Sequence, residues 1–501
     1  MHERTLIRIA AALMLSAVQP ACHRGALVSR PPNIVILVAD DLGWKDVGFH
    51  GSEFRTPHID RIANEGAELS RFYAMPVCSP TRVALLTGHH PIRYGLQRAT
   101  IKLWTDLGIP PDVETLPEML ARAGYTRRGV FGKWHLGRSM RFHPQQQGFT
   151  SFVGHYGGAI DYFRHSRLDG LDWHHGYSLS DEEGYSTDLI GRHAARFIMD
   201  APRDEPFLLY VPFNAIHTPN DVTSEDMDRN SGIEPETRQI KAAMVSAMDD
   251  EVGRILDALD KRGFASDTLV LFFSDNGGVP PAGSSNAPLR GRKHSLYEGG
   301  IRVAAAARWP GGGISGGRFV EAPISVLDVY PTFLRLAGLN GRRGLASDGE
   351  DVTAILDGRQ AERSEFEYFG YFNGRRVPGS SESSDRRRWE LAAVFEGPWK
   401  LIRNGPNLDL ATDPVADSNL ELFRIEADPY ETSDLASEHP DVVARLLARI
   451  VEFRRLKPDD AMPIPLAAPE GWSAPADWKV VPDPAGEGSG SGTRENDPTS
   501  N

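Results

Sequence analysis

The sequence predicts an α/β fold, a mostly parallel sheet with helices on both faces. Three observations carry that prediction. Short runs that are apolar on both faces recur, as buried parallel strands require: Asn33–Ala39 (NIVILVA), Gly129–Phe131, Phe207–Phe213 (FLLYVPF) and Thr268–Phe273 (TLVLFF). Helical patterns lie between them, including Thr115–Ala123 (TLPEMLARA) and Gln239–Lys261, where Met244, Met248 and Ile255 recur at helical spacing. Strand and helix therefore alternate. Finally, a chain of 501 residues can bury a sizeable core, and its composition is that of a globular protein.

Taken in order, the first stretch is MHERTLIRIAAALMLSAVQPAC, which predicts a secretory signal over residues 1–22. Arg4 and Arg8 precede an apolar run from Ile9 to Val18 that is too short to span a bilayer, and small residues follow. Cys22 stands where a bacterial lipid-attachment cysteine would, although Gln19 and Pro20 depart from that motif. Either Cys22 is lost with the signal, or it carries a lipid, the one route by which this sequence is expected to meet a membrane. The expected location is secreted or periplasmic. Of two cysteines, the mature chain then keeps Cys78, so no disulfide framework is expected. A single cysteine left over in such a compartment marks a reactive group.

A main domain is expected over 32–345. The pattern changes around Gly344–Arg363, and a polar stretch (GSSESSDRRR) follows. Two strand-like runs (LAAVFE and WKLIRN) and a helix from Asp441 to Arg455 then predict a smaller α+β subdomain, an antiparallel sheet plus helix, over 365–465. From 467 to 501 the chain is rich in Pro, Gly, Ser and Asp and is expected to be disordered, because it cannot bury enough apolar surface. The net charge of −13, without a long basic tract, argues against a nucleic-acid partner. An anionic substrate would have to be drawn by a local basic pocket.

Each buried strand runs into polar residues, and open α/β sheets bind ligands at the carboxyl ends of their strands. NIVILVA ends in Asp40-Asp41, TLVLFF leads through Ser274 to Asp275-Asn276, the strand before Gly132 leads to Lys133 and His135, and FLLYVPF leads to His217. Adjacent carboxylates share one ligand only where the chain has left strand geometry, since neighbours on a strand point to opposite faces. One such acidic pair reads as a turn or cap. Two at equivalent strand ends offer carboxylate and amide oxygens to a hard divalent cation, Ca²⁺ before Mg²⁺, and lack the thiolate and imidazole set of a zinc cage.

The stretch PVCSPTR places Cys78 at the start of a short helix, with Ser79 as N-cap, Pro80 as first helical residue and Gly88 as the stop. There a cysteine is either a small buried apolar residue or a nucleophile favoured by the helix N-terminus. Arg82, one turn on, is either a surface ion-pair residue or a fork for an oxyanion beside Cys78.

Cys78-Ser79-Pro80-Thr81-Arg82 matches the C-x-P-x-R signature of the type I, formylglycine-dependent sulfatases. The chain resembles that family further in TGHHPIRYGL, GKWHLG, QGFTSFVGHYGG, SDNGG and PLRGRKHSLYEGG, which follow in the family's order over about residues 32–455. Within the family it is most similar to the arylsulfatase B group, the N-acetylgalactosamine-4-sulfatases, on the runs QGFTSFVGHYGGAIDY and PLRGRK-SL-EGG.

The resemblance implies an alkaline-phosphatase-like fold and hydrolysis of carbohydrate sulfate esters. It implies that a formylglycine-generating or sulfatase-maturing enzyme oxidises Cys78 to formylglycine, whose hydrate carries two hydroxyls on one carbon. One attacks sulfur and the other later expels sulfate, where a serine would be left holding a stable ester. Asp40, Asp41, Asp275 and Asn276, with the modified Cys78, are implied ligands of one Ca²⁺ per chain, with Mg²⁺ as second choice. Arg82, Lys133 and Lys293 are implied to neutralise the sulfate oxygens. His135 is implied to take the proton when the hydrate collapses, and His217, with Lys293, to serve the leaving alcohol.

His294 after Lys293, and Asn220-Asp221 after His217, depart from the arylsulfatase B pattern and bear on the sugar recognised. The segment His155–His175 is either a substrate-side wall or an ordinary insertion loop. Two other readings stay open: a phosphonate monoester or phosphodiester hydrolase of the same superfold, and a catalytically silent glycan-binding homologue.

Overall fold

The computed structural model describes residues 30–339, 347–363, 365–373, 388–409, 411, 413–459, 461 and 467–483. The expected signal with Cys22, and all but the last residue of GSSESSDRRR, lie outside the described residues.

Ten strands build the main sheet: β1 (Asn33–Ala39), β2 (Ala67–Leu69), β3 (Arg127–Lys133), β4 (Ser151–His155), β5 (His174–His175), β6 (Ser178–Leu179), β7 (Phe207–Pro212), β8 (Thr268–Ser274), β9 (Ala305–Arg308) and β10 (Arg318–Val320). Their order across the sheet is β10-β2-β9-β8-β1-β7-β3-β4-β5-β6. The five central neighbours, β8 to β4, run parallel, while β9, β5 and β6 enter antiparallel. Every residue of β1, β7 and β8 is buried. That is why these runs are apolar on both faces.

The helices that matter are α1 (Pro57–Glu65), α2 (Cys78–Thr87), α3 (Leu116–Arg122), α4 (Ser186–Met199), α5 (Glu236–Arg262), α6 (Val326–Leu336) and α7 (Pro440–Arg454). Ile34, Ile36 and Val38 share one core with α2, α3 and α6, whereas Val35, Leu37 and Ala39 share the other with α1, α4 and α5. Strand alternation thus splits β1 between two helical layers. Its large side chains each contribute about 1.5–3 kcal/mol when fully buried, and together they anchor the charged turn that follows.

Every residue of α2 is buried, and Gly88 (φ 66°) ends it with its N–H on the Ala84 carbonyl, as expected. Its start differs from expectation. Val77 is the N-cap and Cys78 the first helical residue, while the Ser79 hydroxyl donates to the His135 carbonyl and accepts from the Ile101 N–H, 3.0 Å each. Ser79 cannot cap because its oxygen already ties two loops together.

The smaller sheet is antiparallel: β11 (Glu367–Asn373), β12 (Trp389–Glu396), β13 (Trp399–Pro406) and β14 (Asn419–Arg424) in sequence order. One face packs Val394 and Leu401 under Leu446 and Ile450 of α7, and the other sends Tyr368, Phe395 and Ile402 into the main core. The tail expectation is corrected over 467–483. Trp478 is fully buried and its Nε1 donates to the Arg167 carbonyl at 2.6 Å, while Val481 bridges to Ser139. Two tryptophans supply the apolar area that composition alone hid, and the remaining residues of the tail lie outside the described ones.

Candidate active site

The carboxyl ends of β1, β3, β7 and β8 converge with the start of α2. After Ala39 the chain leaves strand geometry at once, for Asp41 adopts φ 64°, in the left-handed region. Both carboxylates can therefore face one point. The Asp275 N–H bonds the Ala39 carbonyl at 2.9 Å, and the Thr81 hydroxyl donates to the Asp275 carbonyl at 2.6 Å. β1, β8 and α2 are locked together by these bonds.

Donor atoms of Asp40, Asp41, Cys78 and Asp275 all lie within 4.8 Å of one another, and all four residues are buried. The Cys78 thiol stands 3.4 Å from Asp40 Oδ1 and 3.4 Å from Lys293 Nζ. Asn276 Nδ2 donates to Asp41 Oδ1 at 2.8 Å, leaving its Oδ1 buried with no partner among the described residues. An orphaned amide oxygen beside three carboxylates suits a hard cation. The donor set fits the ligand set expected from sequence.

Three cations neutralise these carboxylates. Lys133 pairs with Asp40, Lys293 with Asp41 at 2.6 Å, and Arg82 with Asp275 through Nη2 at 2.8 Å and Nε at 3.2 Å. Burial works to raise the Asp41 pKa, but Lys293, then His217 and Lys133, outweigh it and hold the carboxyl below its ordinary range. Asp275 goes the other way: burial, with the neighbouring Asp40, raises its pKa despite Arg82. Burial also pushes the Cys78 thiol up, and the nearby carboxylates help. Burial thus works against the low-pKa thiolate that a helix N-terminus suggests.

Arg82 differs from the sequence reading. Its side chain is fully buried, and its Nη1 donates to the Lys133 carbonyl at 2.7 Å. It lies behind Asp275 and fixes that carboxylate, whereas the expected fork onto an oxyanion would need a guanidinium turned to the cavity. Lys133 is likewise fully buried on Asp40. Lys293 is the cation of the three that lines the cavity.

That cavity, of about 280 Å³, is floored by Cys78, His135, His217 and Lys293. His217 holds its Nδ1 2.6 Å from the Thr218 carbonyl, which accepts, so Nε2 is directed toward Asp41 Oδ2, 3.7 Å away. Burial pushes its pKa down to about 3 against the pull of Asp41. His135 (φ 59°) has a buried Nδ1 without a partner among the described residues, and burial also depresses its pKa, with Lys133 adding to the effect. A Cβ on Gly158 would stand 2.6 Å from His135 Nε2, so glycine is what admits the ring.

The segment 155–175 proves to be a cavity wall. Gly158, Ala159, Arg167 and Leu168 line it, and the Asp172 carboxylate holds the loop by accepting from the Tyr156 and Gly157 N–H groups at 3.0 and 2.8 Å. Sequence reasoning missed Lys102, Trp104 and Arg167. Lys102 and Trp104 sit in a stretch with no motif, and a basic residue in an unassigned loop gives no signal of which way it faces.

The Sulfatase family model matches residues 32–339. Mouse arylsulfatase J is 31% identical over 462 residues, covering 86% of this chain and 77% of that protein. Human N-acetylgalactosamine-6-sulfatase is 36% identical over 465 residues, covering 85% and 86%. Among solved structures, Ps i-CgsB in complex with k-i-k-neocarrahexaose aligns with TM-score 0.76 and 30% identity over 86% of this chain and 94% of that one. The phosphonate monoester hydrolase of Agrobacterium radiobacter aligns with TM-score 0.58 at 18% identity, over 86% of this chain and 97% of that one, a likeness of fold alone. These relatives do not single out the 4-sulfatase group. Among the described residues, no helix is long and apolar enough to cross a membrane.

Proposed function

The chain belongs to the sulfatase family, and we propose that it hydrolyses O-sulfate esters of galactose-type sugars, free N-acetylgalactosamine sulfates or sulfated galactans, outside the cytoplasm. One observation carries this reading. Cys78 begins a buried helix at the floor of a cavity, 3.4 Å from both a metal-type carboxylate and a cavity-lining lysine. The names of relatives such as N-acetylgalactosamine-6-sulfatase support this choice of sugar class. The carboxylate-rich donor set favours Ca²⁺ over Zn²⁺.

Asp40, Asp41, Asp275 and Asn276, with residue 78, would hold the cation, which when bound supplies Lewis-acid polarisation of the sulfate. Formylglycine at position 78 would supply a nucleophilic oxygen in place of the thiol. The chain's own residues do the rest. Lys293 sets a positive charge beside residue 78, where a sulfate oxygen would lie. Arg82 and Lys133 hold Asp275 and Asp40 in place. His217, at the cavity floor, donates a proton to the leaving alcohol once the anionic ester has pulled its pKa back up. His135, with Nδ1 unpaired, accepts the proton released when residue 78 is regenerated.

The test has two parts. Protein made in a host with a maturing enzyme is digested with trypsin, and the mass of the Phe72–Arg82 peptide is read. It is then assayed on N-acetylgalactosamine 4-sulfate, N-acetylgalactosamine 6-sulfate and sulfated galactan oligosaccharides. An aldehyde mass with sulfate release supports the reading. An intact thiol in fully active protein refutes the formylglycine mechanism, and an aldehyde without turnover of any sulfate ester refutes the activity. An intact thiol in inactive protein that binds these sugars would favour the silent glycan-binding homologue.

A further inference from the structure

We propose that Lys102 and Arg167 form a second anion subsite, which takes a sulfate or carboxylate on the sugar next to the one that loses its sulfate. This rests on the sulfatase reading and deepens it to a polyanionic saccharide. Both residues line the cavity that Cys78 and Lys293 floor. In a chain of net charge −13, every buried cation deeper in the site is paired with its own carboxylate. Lys102 and Arg167 make no ion pair among the described residues, and Lys102 Nζ bonds the Thr100 hydroxyl at 2.8 Å. Burial lowers the pKa of both, and Lys102 feels repulsion from Arg167 and Lys293 as well. Asp172 attracts Arg167 without forming an ion pair with it, so two half-buried cations line one cavity with no carboxylate in contact, a cost in free energy that an anionic ligand would offset.

The wall around them is constructed for a sugar. Trp104 lines it, and its Nε1 is buried without a partner among the described residues. Arg167 stands on a two-stranded hairpin, Ser166–Arg167 against Gly170–Leu171, turned by Leu168 (φ 49°) and Asp169 (φ 65°). Its carbonyl is fixed by Trp478. The backbone from which the Arg167 guanidinium reaches the cavity is thus fixed, and a planar fork there suits a carboxylate or sulfate.

The experiment uses full-length protein carrying Cys78→Ala, so that binding is read without turnover, and isothermal calorimetry with three probes. These are galactose 6-sulfate, a disaccharide with a second sulfate on the neighbouring sugar, and the matching disaccharide with a uronic carboxylate there. The doubly charged probes are expected to bind more tightly and with steeper salt dependence. Lys102→Gln/Arg167→Gln should weaken them about 10- to 100-fold more than it weakens the singly charged probe. Arg167→Lys should restore part of the loss, and the two disaccharides tell which anion is preferred. Equal weakening of all three probes, or no gain from the second charge in the parent protein, would overturn the subsite. If active enzyme still turns over singly sulfated sugars in that case, the subsite alone falls. If no probe binds and no sulfate ester is hydrolysed, the underlying reading falls with it.

Discussion

Replacing Arg82 by methionine should cost stability before it costs anything at the sulfate. The guanidinium is fully buried and makes three bonds, two to Asp275 Oδ2 (2.8 and 3.2 Å) and one to the Lys133 carbonyl (2.7 Å). Methionine keeps the stem and removes the charge, leaving a buried carboxylate and a buried carbonyl without their donors. Breaking a buried pair this way costs about 3–5 kcal/mol, and the lost carbonyl bond overlaps with that figure rather than adding to it. Urea denaturation followed by tryptophan fluorescence, with chelator present, reads the loss directly. The Asp275 pKa is already raised by burial and by Asp40, and without Arg82 it rises further. The folded variant then holds a proton that the unfolded chain releases, so its deficit relative to the parent grows as pH rises above the parent's own raised Asp275 pKa. Adding Asp275→Asn should recover more than half of the loss, because a neutral pair leaves no buried charge unpaired. A loss below about 1 kcal/mol, or a double variant no better than the single one, would show that Arg82 acts elsewhere, and a direct role on the sulfate would return.

His217→Ala should slow hydrolysis of a sulfated sugar on the order of 10²–10⁴-fold but that of nitrophenyl sulfate far less, because a good leaving group needs little proton donation; equal slowing in kcat would remove its role as acid. Asp41→Ala should abolish turnover and lower bound Ca²⁺, measured by elemental analysis, while circular dichroism stays folded; stoichiometric zinc with zinc-restored activity would mean the donor set has been misjudged. Trp478→Ala should cost about 3–5 kcal/mol of local stability around 164–172, seen as faster hydrogen exchange there, and should raise KM for sugars more than it lowers kcat. Unchanged exchange in that segment would show that the tail only rests on the wall.

What could be read from the sequence follows from how locally each feature is encoded. The strands β1, β7 and β8 announce themselves because burial on two faces demands unbroken apolar runs. Asp40-Asp41 and Asp275-Asn276 were legible because they end such runs, and the left-handed turn at Asp41 met the geometric condition placed on them. The direction of Arg82 was not legible. One helical turn beyond Cys78, it can swing toward a ligand or toward Asp275, and only the position of β8 decides. The tail misled for a related reason, since a polar composition says nothing of where two tryptophans find partners. Lys102 and Arg167 lie far apart in sequence and meet only through the cavity wall.

The bracing of that wall comes from late in the chain. Asp40, Cys78, Lys133, Asp275 and Lys293 have all left the ribosome well before residues 467–483 appear. Those later residues bring Trp472 against Trp104 (ring centroids 5.5 Å apart) and Trp478 against the turn that carries Arg167. A chain ending at 466 would therefore keep every one of those site side chains and lose the two tryptophans that back the cavity wall.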